Sequence, residues 1–239
     1  MRLFDAHFHI DRGAEGYNLQ PEGRNWIFNS IDQYKEWTDK VPAGDTQTLI
    51  FDFQKQQDWV VAEAASGRVQ GLKIHSRLLG IQDHDYPDLF DAYSRVAHLK
   101  LPTVTDAFYI GHELDIQPNL QRIAEMVSLF PDNTFIIAHS GGIRVMDYFL
   151  HLKNCPNVVF ELSLSLSYLK HSSVYADFGV LLRFGDRNRI IFGTDFPYVD
   201  AQDQLKVFLK MADDLNMNET DREKILYTNA KKLFIGGSE

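Results

Sequence analysis

Short apolar runs alternate along this chain with segments whose apolar residues recur at helical spacing. The apolar runs predict strands over residues 3–10, 47–53, 69–75, 101–105, 134–139, 157–162 and 189–193. The segments between and after them predict helices over 29–40, 55–66, 87–99, 118–130, 143–153, 172–184, 201–216 and 219–234. Several runs are continuously apolar, as in parallel strands buried on both faces. At 239 residues this alternation predicts an α/β fold, either a closed (β/α) barrel or a doubly wound sheet.

Residues 11–28 interrupt the alternation with a polar stretch that contains Gly13, Gly16, Pro21 and Gly23. We predict a long loop here, which is either a surface excursion or a substrate-binding segment that uses Trp26. The interval 53–69 is too short for a helix, a complete strand and a second helix. This leaves open that one strand of the barrel is missing or vestigial.

Two histidines stand two positions apart in the first predicted strand, His7 and His9. Side chains at i and i+2 of a strand point to the same face. Two adjacent imidazoles can share one divalent cation if other parts of the chain supply the remaining ligands. A His-x-His pair alone is a weak indication of a metal site.

Polar side chains recur at the carboxyl ends of the predicted strands, where functional residues of parallel α/β folds collect. Besides the histidine pair, they are His75, Asp106, His139, Glu161 and Asp195. Each alone could be a hydrogen-bonded rim residue or a helix cap. Their joint occurrence favours a site for metal binding and proton transfer.

Composition narrows the range of partners. The formal net charge is -9 and no Lys/Arg cluster appears, so we expect no nucleic-acid partner. Cys155 is the only cysteine, which fits a reducing compartment. We find no signal peptide and no apolar run long enough to span a membrane. We therefore expect a cytoplasmic single domain, 1–239, that acts on a small molecule; homo-oligomerisation stays open.

Five motifs give the chain a family resemblance. They are Asp5-Ala6-His7-Phe8-His9, Gly71-Leu72-Lys73-Ile74-His75, Ala138-His139-Ser140-Gly141-Gly142, Phe192-Gly193-Thr194-Asp195-Phe196-Pro197 and the C-terminal Tyr227-Thr228-Asn229-Ala230-Lys231-Lys232-Leu233-Phe234. In this order they resemble the amidohydrolase superfamily, and within it the amidohydrolase-related (amidohydrolase 2 type) group of small metal-dependent hydrolases and decarboxylases. The resemblance implies a distorted TIM-type (β/α) barrel.

The resemblance also implies a site. His7, His9 and Asp195 would bind one divalent ion, with Zn expected and Mn or Fe as alternatives. Asp195 would accept a proton from the attacking water and pass it to the leaving group. His139 would be a ligand of a second metal ion or a catalytic residue next to the substrate. Arg77 and Arg144 are candidates for binding a substrate carboxylate, or else form ordinary surface ion pairs.

The chain departs from the family at Asp106, where a histidine ligand is usual. Asp106 could bind the metal itself, His112 could reach in from the following loop, or the metal could bind weakly or not at all; His75 is a further possible ligand. Some members carbamylate a lysine on the fourth strand to bridge two metal ions, which makes Lys73 notable. We expect one metal ion, as is usual in this group.

Three functions agree with these features. The first is metal-assisted hydrolysis of a C–N or C–O bond. The second is non-oxidative decarboxylation of a small unsaturated or aromatic carboxylic acid on the same scaffold. The third is a catalytically inactive binding barrel, for which Asp106 is the only support.

Overall fold

The computed structural model describes residues 1–9, 15–55, 57–109 and 119–236. Eight parallel strands form one sheet in which each strand pairs with the next along the chain. They are β1 (Phe4–His9), β2 (Gly23–Phe28), β3 (Thr46–Ile50), β4 (Gly71–Ile74), β5 (Thr103–Thr105), β6 (Phe135–Ile137), β7 (Val158–Glu161) and β8 (Ile190–Ile191). The predicted TIM-type barrel is confirmed.

Helices lie at or near the predicted positions, and two short helices, at 76–79 and 165–168, were not predicted. They are α1 (Ile31–Trp37), α2 (Gln57–Ala65), α3 (Ser76–Leu79), α4 (Tyr86–Val96), α5 (Asn119–Leu129), α6 (Val145–Leu152), α7 (Ser165–Tyr168), α8 (Val174–Phe184), α9 (Ala201–Asp214), α10 (Glu219–Glu223) and α11 (Asn229–Ile235). The last predicted helix is interrupted by a π-helical turn, Lys224–Thr228, where the Ile225 carbonyl accepts a hydrogen bond from Phe192 N. None of the described helices is long and apolar enough to cross a bilayer.

The sequence prediction is wrong at β2, which lies within the stretch expected to be a loop. All eight barrel strands are therefore present, and none is missing. The polar residue Asn25 interrupts the apolar pattern that would have predicted this strand. Its side chain is fully buried, donates to the Ala6 carbonyl at 3.1 Å, and accepts from the hydroxyls of Thr46 and Thr48 at 3.2 and 3.0 Å. A buried polar residue satisfied by neighbouring strands has no apolar signature in the sequence.

Apolar side chains fill the part of the barrel interior that lies away from the carboxyl ends of the strands. The interior cluster comprises Phe4, Ala6, Ile27, Val104, Ile136, Ala138, Val159, Ile191, Tyr227, Ala230 and Phe234. The last three come from the C-terminal helical segment, and the ring of Phe234 stacks on that of Phe4 at 6.3 Å. This segment therefore closes the interior at the amino-terminal end of β1, and a larger cluster packs the strands against the outer helices.

A register shift in β1 changes which side chains enter the barrel. Asp5 pairs with Arg24, but Phe8 pairs with Trp26, so the ladder shifts by one residue between them. Phe4 and Ala6 belong to the interior cluster, whereas Phe8 packs in the outer one. Bulges of this kind re-aim side chains near functional sites.

The regular pairing of strands stops between β8 and β1. This seam is crossed by backbone hydrogen bonds from Ala6 N to Phe192 O (3.1 Å) and from Asp195 N to His7 O (2.7 Å). The fully buried Asp5 carboxylate adds a second connection. It accepts from Thr194 N at 2.8 Å and from Thr194 Oγ1 at 2.6 Å.

We predict that Asp5→Ala lowers the free energy of unfolding by about 3 kcal/mol, because it removes the acceptor of the buried donors of Thr194 and of the partly buried hydroxyl of Tyr17. Urea unfolding followed by circular dichroism measures the change. The control is Asp91→Ala, which removes an exposed carboxylate that pairs with Arg95 within α4 and should leave the unfolding free energy nearly unchanged. Equal losses in the two variants would contradict the role of Asp5 at the seam.

Candidate active site

A cavity of about 570 Å³ lies at the carboxyl ends of the strands. Its described lining consists of His9, Asn29, Lys73, His75, Arg77, Leu78, Asp106, Phe108, His139, Leu164, Tyr168, Asp195 and Tyr198. The volume suits a small molecule. Most strand-end residues that the sequence singled out therefore meet in one place.

Three potential ligand atoms form a compact triangle at the base of this site. His7 Nε2 lies 3.2 Å from His9 Nε2 and 3.3 Å from Asp195 Oδ1, and His9 Nε2 lies 3.2 Å from the same oxygen. All three side chains are buried. The expectation that the two histidines share a strand face and meet Asp195 agrees with this geometry.

The Nδ1 atoms of both histidines have hydrogen-bond partners on the side away from the triangle. His9 Nδ1 lies 3.1 Å from the carbonyl oxygen of Ile27, which can only accept, so Nδ1 carries the hydrogen and Nε2 is an acceptor. His7 Nδ1 lies 3.0 Å from Glu161 Oε2. When Glu161 is ionised, His7 Nδ1 donates to it and Nε2 also presents a lone pair. Acceptors on three side chains then face one another, an arrangement that an added cation stabilises.

The triangle fits a metal ion. Zinc bonds to imidazole nitrogen and carboxylate oxygen are about 2.0–2.2 Å long, so two ligands at a tetrahedral angle stand about 3.3 Å apart. The observed separations match this value. Two imidazoles, one carboxylate and an open position toward a cavity are a donor set of catalytic zinc sites, and the same set also suits iron.

Protonation states at the site depend on burial. Burial lowers the pKa of His7 well below its usual value, which keeps the imidazole neutral as a metal ligand requires. Burial also raises the pKa of Glu161 to about 8, although hydrogen bonds from Ser163 oppose the shift. A protonated Glu161 would donate to His7 Nδ1 and move the histidine hydrogen to Nε2. A metal ion in the triangle and a hydrogen atom on His7 Nε2 would therefore occupy the same position and exclude each other.

Glu161 also organises His139. Its carboxylate accepts from Ser163 N and from Ser163 Oγ, both at 2.6 Å, and from His139 N at 3.3 Å. Ser163 Oγ in turn lies 2.9 Å from His139 Nδ1. His7, His139 and Glu161 form a second group close enough to hold a metal ion. Because protein donors already occupy both oxygens of Glu161, we interpret this group as a hydrogen-bonded support.

The backbone around His139 is unusual. His139 and Ser140 adopt left-handed conformations (φ 58° and 50°), and Gly141 and Gly142 follow with positive φ. A Cβ atom at Gly142 would lie 2.6 Å from the ring of Phe108. Glycine is therefore required where the chain turns His139 into the cavity.

Asp106 does not join the ligand triangle. Its Oδ2 lies 3.4 Å from both His75 Nδ1 and Arg77 Nη2, and its Oδ1 lies 3.9 Å from His139 Nε2. Burial acts to raise the pKa of Asp106, but its electrostatic interactions with His75, Arg77 and Lys73 outweigh burial and lower the pKa. Burial lowers the pKa of His75 itself to about 3, so Arg77 and Lys73 are the charged partners at neutral pH. Among the described residues, neither group that could hold a metal ion includes Asp106 or His75. His112 lies outside the described residues.

Lys73 is the buried cation of the cavity. It lies on β4, the fourth strand, and its side chain is 2% exposed. Burial lowers the pKa of its ammonium group, while the charge of Asp106 opposes the shift.

Two predicted substrate contacts lie elsewhere. Trp26 is buried against Phe8 at 4.9 Å, and its Nε1 donates to Asp45 at 2.7 Å. Arg144 pairs with Asp147 at 2.9 Å. Neither is among the described residues that line the cavity, whereas Arg77 is.

Several residues of the site were not selected from the sequence. Ser163, Tyr168 and Tyr198 follow β7 and β8, as expected for residues of strand-to-helix loops in a barrel. Ser163 stands two positions after Glu161, and this spacing after a strand end is the signal that could have identified it.

Comparisons with known proteins bear on this site. The sequence model of the amidohydrolase family matches residues 50–235. No curated protein matches the chain. Among solved structures, a probable 2-pyrone-4,6-dicarboxylic acid hydrolase from Acinetobacter baumannii, with citric acid bound, is similar with a TM-score of 0.66. That match has 16% identity and covers 98% of this chain and 99% of that one.

Two further solved structures share the architecture. Dihydroorotase from Saccharomyces cerevisiae has a TM-score of 0.69 and 10% identity, with 100% of this chain and 85% of that one covered. Dihydropyrimidinase from Brevibacillus agri has a TM-score of 0.69 and 12% identity, with 98% and 70% covered. At these identities the structural likeness supports the fold alone. The family match spans most of the chain and includes β4 to β8, so this protein is a member of the amidohydrolase family.

Proposed function

We propose that this protein is a metal-dependent hydrolase that cleaves a C–N or C–O bond of a small molecule in the cavity. The observation that carries the proposal is the triangle of His7 Nε2, His9 Nε2 and Asp195 Oδ1, with separations of 3.2–3.3 Å. Family membership supports it. A divalent cation bound there would polarise the scissile bond and lower the pKa of water.

The proposed proton-transfer group is Asp195. Its carboxylate lies at the boundary between the triangle and the cavity, and its backbone N–H is fixed by the His7 carbonyl at 2.7 Å. Asp195 adopts a left-handed conformation with φ 62°, which only well-packed surroundings maintain. In the proposed reaction it accepts a proton from the attacking water and returns it to the leaving group.

His139 orients the reacting groups. Ser163 Oγ is close enough to Glu161 to donate to its carboxylate, which leaves the hydroxyl oxygen to accept from His139 Nδ1. His139 Nε2 is then an acceptor on the side of Asp106. In this state it receives a hydrogen bond from the attacking water and fixes its position.

A substrate panel tests the reaction type. Amides, lactones and esters are assayed for hydrolysis by proton release, and small carboxylic acids are assayed in parallel for CO2 release. Hydrolysis without CO2 release supports the proposal. CO2 release from a carboxylic acid would support decarboxylation instead.

We predict that His9→Ala and Asp195→Ala each reduce bound metal from near one ion per chain to below about 0.2, because two ligands hold a divalent ion weakly. The variants should lose hydrolysis together with the metal. The wild type should lose hydrolysis on chelation and regain it when metal is added back, whereas added metal should not restore the variants. Metal content is measured by mass spectrometry of the digested protein. The control is His84→Ala, whose side chain is 82% exposed. A metal-free wild type with undiminished activity would contradict the proposal.

We predict that Glu161→Gln weakens metal binding about 10- to 100-fold, because it removes the carboxylate that fixes the His7 ring. Competition with a fluorescent chelator measures the affinity. The matched control is Glu63→Gln, a buried carboxylate that bonds to Tyr34 and Arg68 away from the site. A similar loss of affinity in both variants would point to general destabilisation rather than to support of His7.

We predict that Asp106→Asn keeps the metal content of the wild type while lowering activity. Asp106 contacts His75 and Arg77 and lies outside both ligand groups of the described residues. Asp195→Asn, measured beside it, should lower both quantities. Loss of metal in Asp106→Asn would instead place Asp106 among the ligands.

A further inference from the structure

The ammonium group of Lys73 has no protein partner in the described structure. Its side chain is almost completely buried and lines the cavity. No hydrogen bond or salt bridge joins its Nζ to another residue in the described ranges. Removing an ammonium group from water without a partner is costly, so such lysines persist mainly where a ligand supplies the partner.

The nearby carboxylates are engaged elsewhere. Asp106 Oδ2 lies 3.4 Å from Arg77 and from His75, and Asp195 Oδ1 faces the two imidazoles of the triangle. Arg77 therefore has a countercharge within the cavity wall, whereas Lys73 has only longer-range attraction to these groups.

We propose that Lys73 binds an anionic group of the substrate, a carboxylate, and that the enzyme acts on a small organic acid. This inference rests on the proposed function, because it assigns the substrate of the same cavity. Lys73 donates to the carboxylate as a charge-assisted hydrogen bond. Arg77, on the same wall, adds a second cationic donor group.

The remaining lining suits the rest of such a molecule. Phe108 and Tyr168 meet edge to face at 5.7 Å and offer apolar surface, and Leu164 adds to it. A small acid with an apolar or planar body therefore has a polar anchor at β4 and an apolar wall within one cavity.

A carbamate on Lys73 that bridges two metal ions is the rival role of this lysine. It would need a second set of ligands beside the triangle. Among the described residues the only other group shares His7 and uses Glu161, whose oxygens already accept hydrogen bonds from Ser163 and His139. The geometry therefore favours a free ammonium group.

Calorimetric titration of the metal-loaded protein tests the proposal. The probes are succinate, glutarate and benzoate, each compared with the corresponding neutral amide. We expect the carboxylates to bind better than the amides and Lys73→Met to weaken carboxylate binding at least about tenfold, as for loss of a hydrogen bond between charged groups. Lys73→Arg should lose less. Lys232→Met, which removes an exposed lysine on α11, should bind as the wild type does.

Three results would overturn the inference. They are carboxylate binding by Lys73→Met equal to that of the wild type, no preference of the wild type for any carboxylate over its amide, and incorporation of ¹³C-bicarbonate as a carbamate on Lys73 with two metal ions per chain. If Lys73→Met fails to fold, acetylation of Lys73 in the wild type replaces it. Carboxylates should slow the acetylation and amides should not; equal rates would overturn the inference.

The two proposals fail separately. Binding is measured without turnover, so a protein that binds carboxylates through Lys73 but needs no metal for activity would contradict only the metal-dependent reaction. A metal-dependent hydrolase that acts equally on neutral and anionic substrates would contradict only the role of Lys73.

Discussion

The bond between the buried Asp5 carboxylate and Thr194 holds the site together. Regular strand pairing stops between β8 and β1, yet the ligand triangle draws His7 and His9 from one side of that seam and Asp195 from the other. The Asp5 carboxylate accepts hydrogen bonds from both the backbone N–H and the hydroxyl of Thr194, the residue before Asp195. This contact helps maintain the left-handed backbone of Asp195 and, with it, the position of the carboxylate beside His7 and His9.

A second buried carboxylate, Glu161, links the parts of the site that face the cavity. It contacts His7 directly and reaches His139 through Ser163 and the backbone. A buried polar network of this kind is favourable only when nearly every member is satisfied. The positions of the two imidazoles therefore both depend on the Glu161 carboxylate.

Where the pattern of apolar residues is strong, the sequence was sufficient to predict the secondary structure. Continuous apolar runs predicted seven of the strands, and strand-end positions predicted the residues around the cavity. The second strand escaped because Asn25 is buried by hydrogen bonds to neighbouring strands, and such partners are distant in sequence. Trp26 and Arg144 were predicted as substrate contacts from their residue type and place in the chain, but local partners, Asp45 and Asp147, account for them. No local pattern reveals that Lys73 lacks a partner among the described residues, because that depends on where three other strands place their carboxylates.

A net charge of -9 disfavours the approach of an organic acid, but the distance over which charges interact decides how much this affects binding. Interactions between exposed charges are screened within about 8 Å at physiological ionic strength, whereas buried charges interact much more strongly at short distance. Most acidic residues of the outer helices are at least partly exposed, while Lys73 is buried in the cavity wall. Affinity for an anion is then set by the few groups inside the cavity. The surface charge chiefly slows the approach of the acid at low salt, an effect that added salt removes.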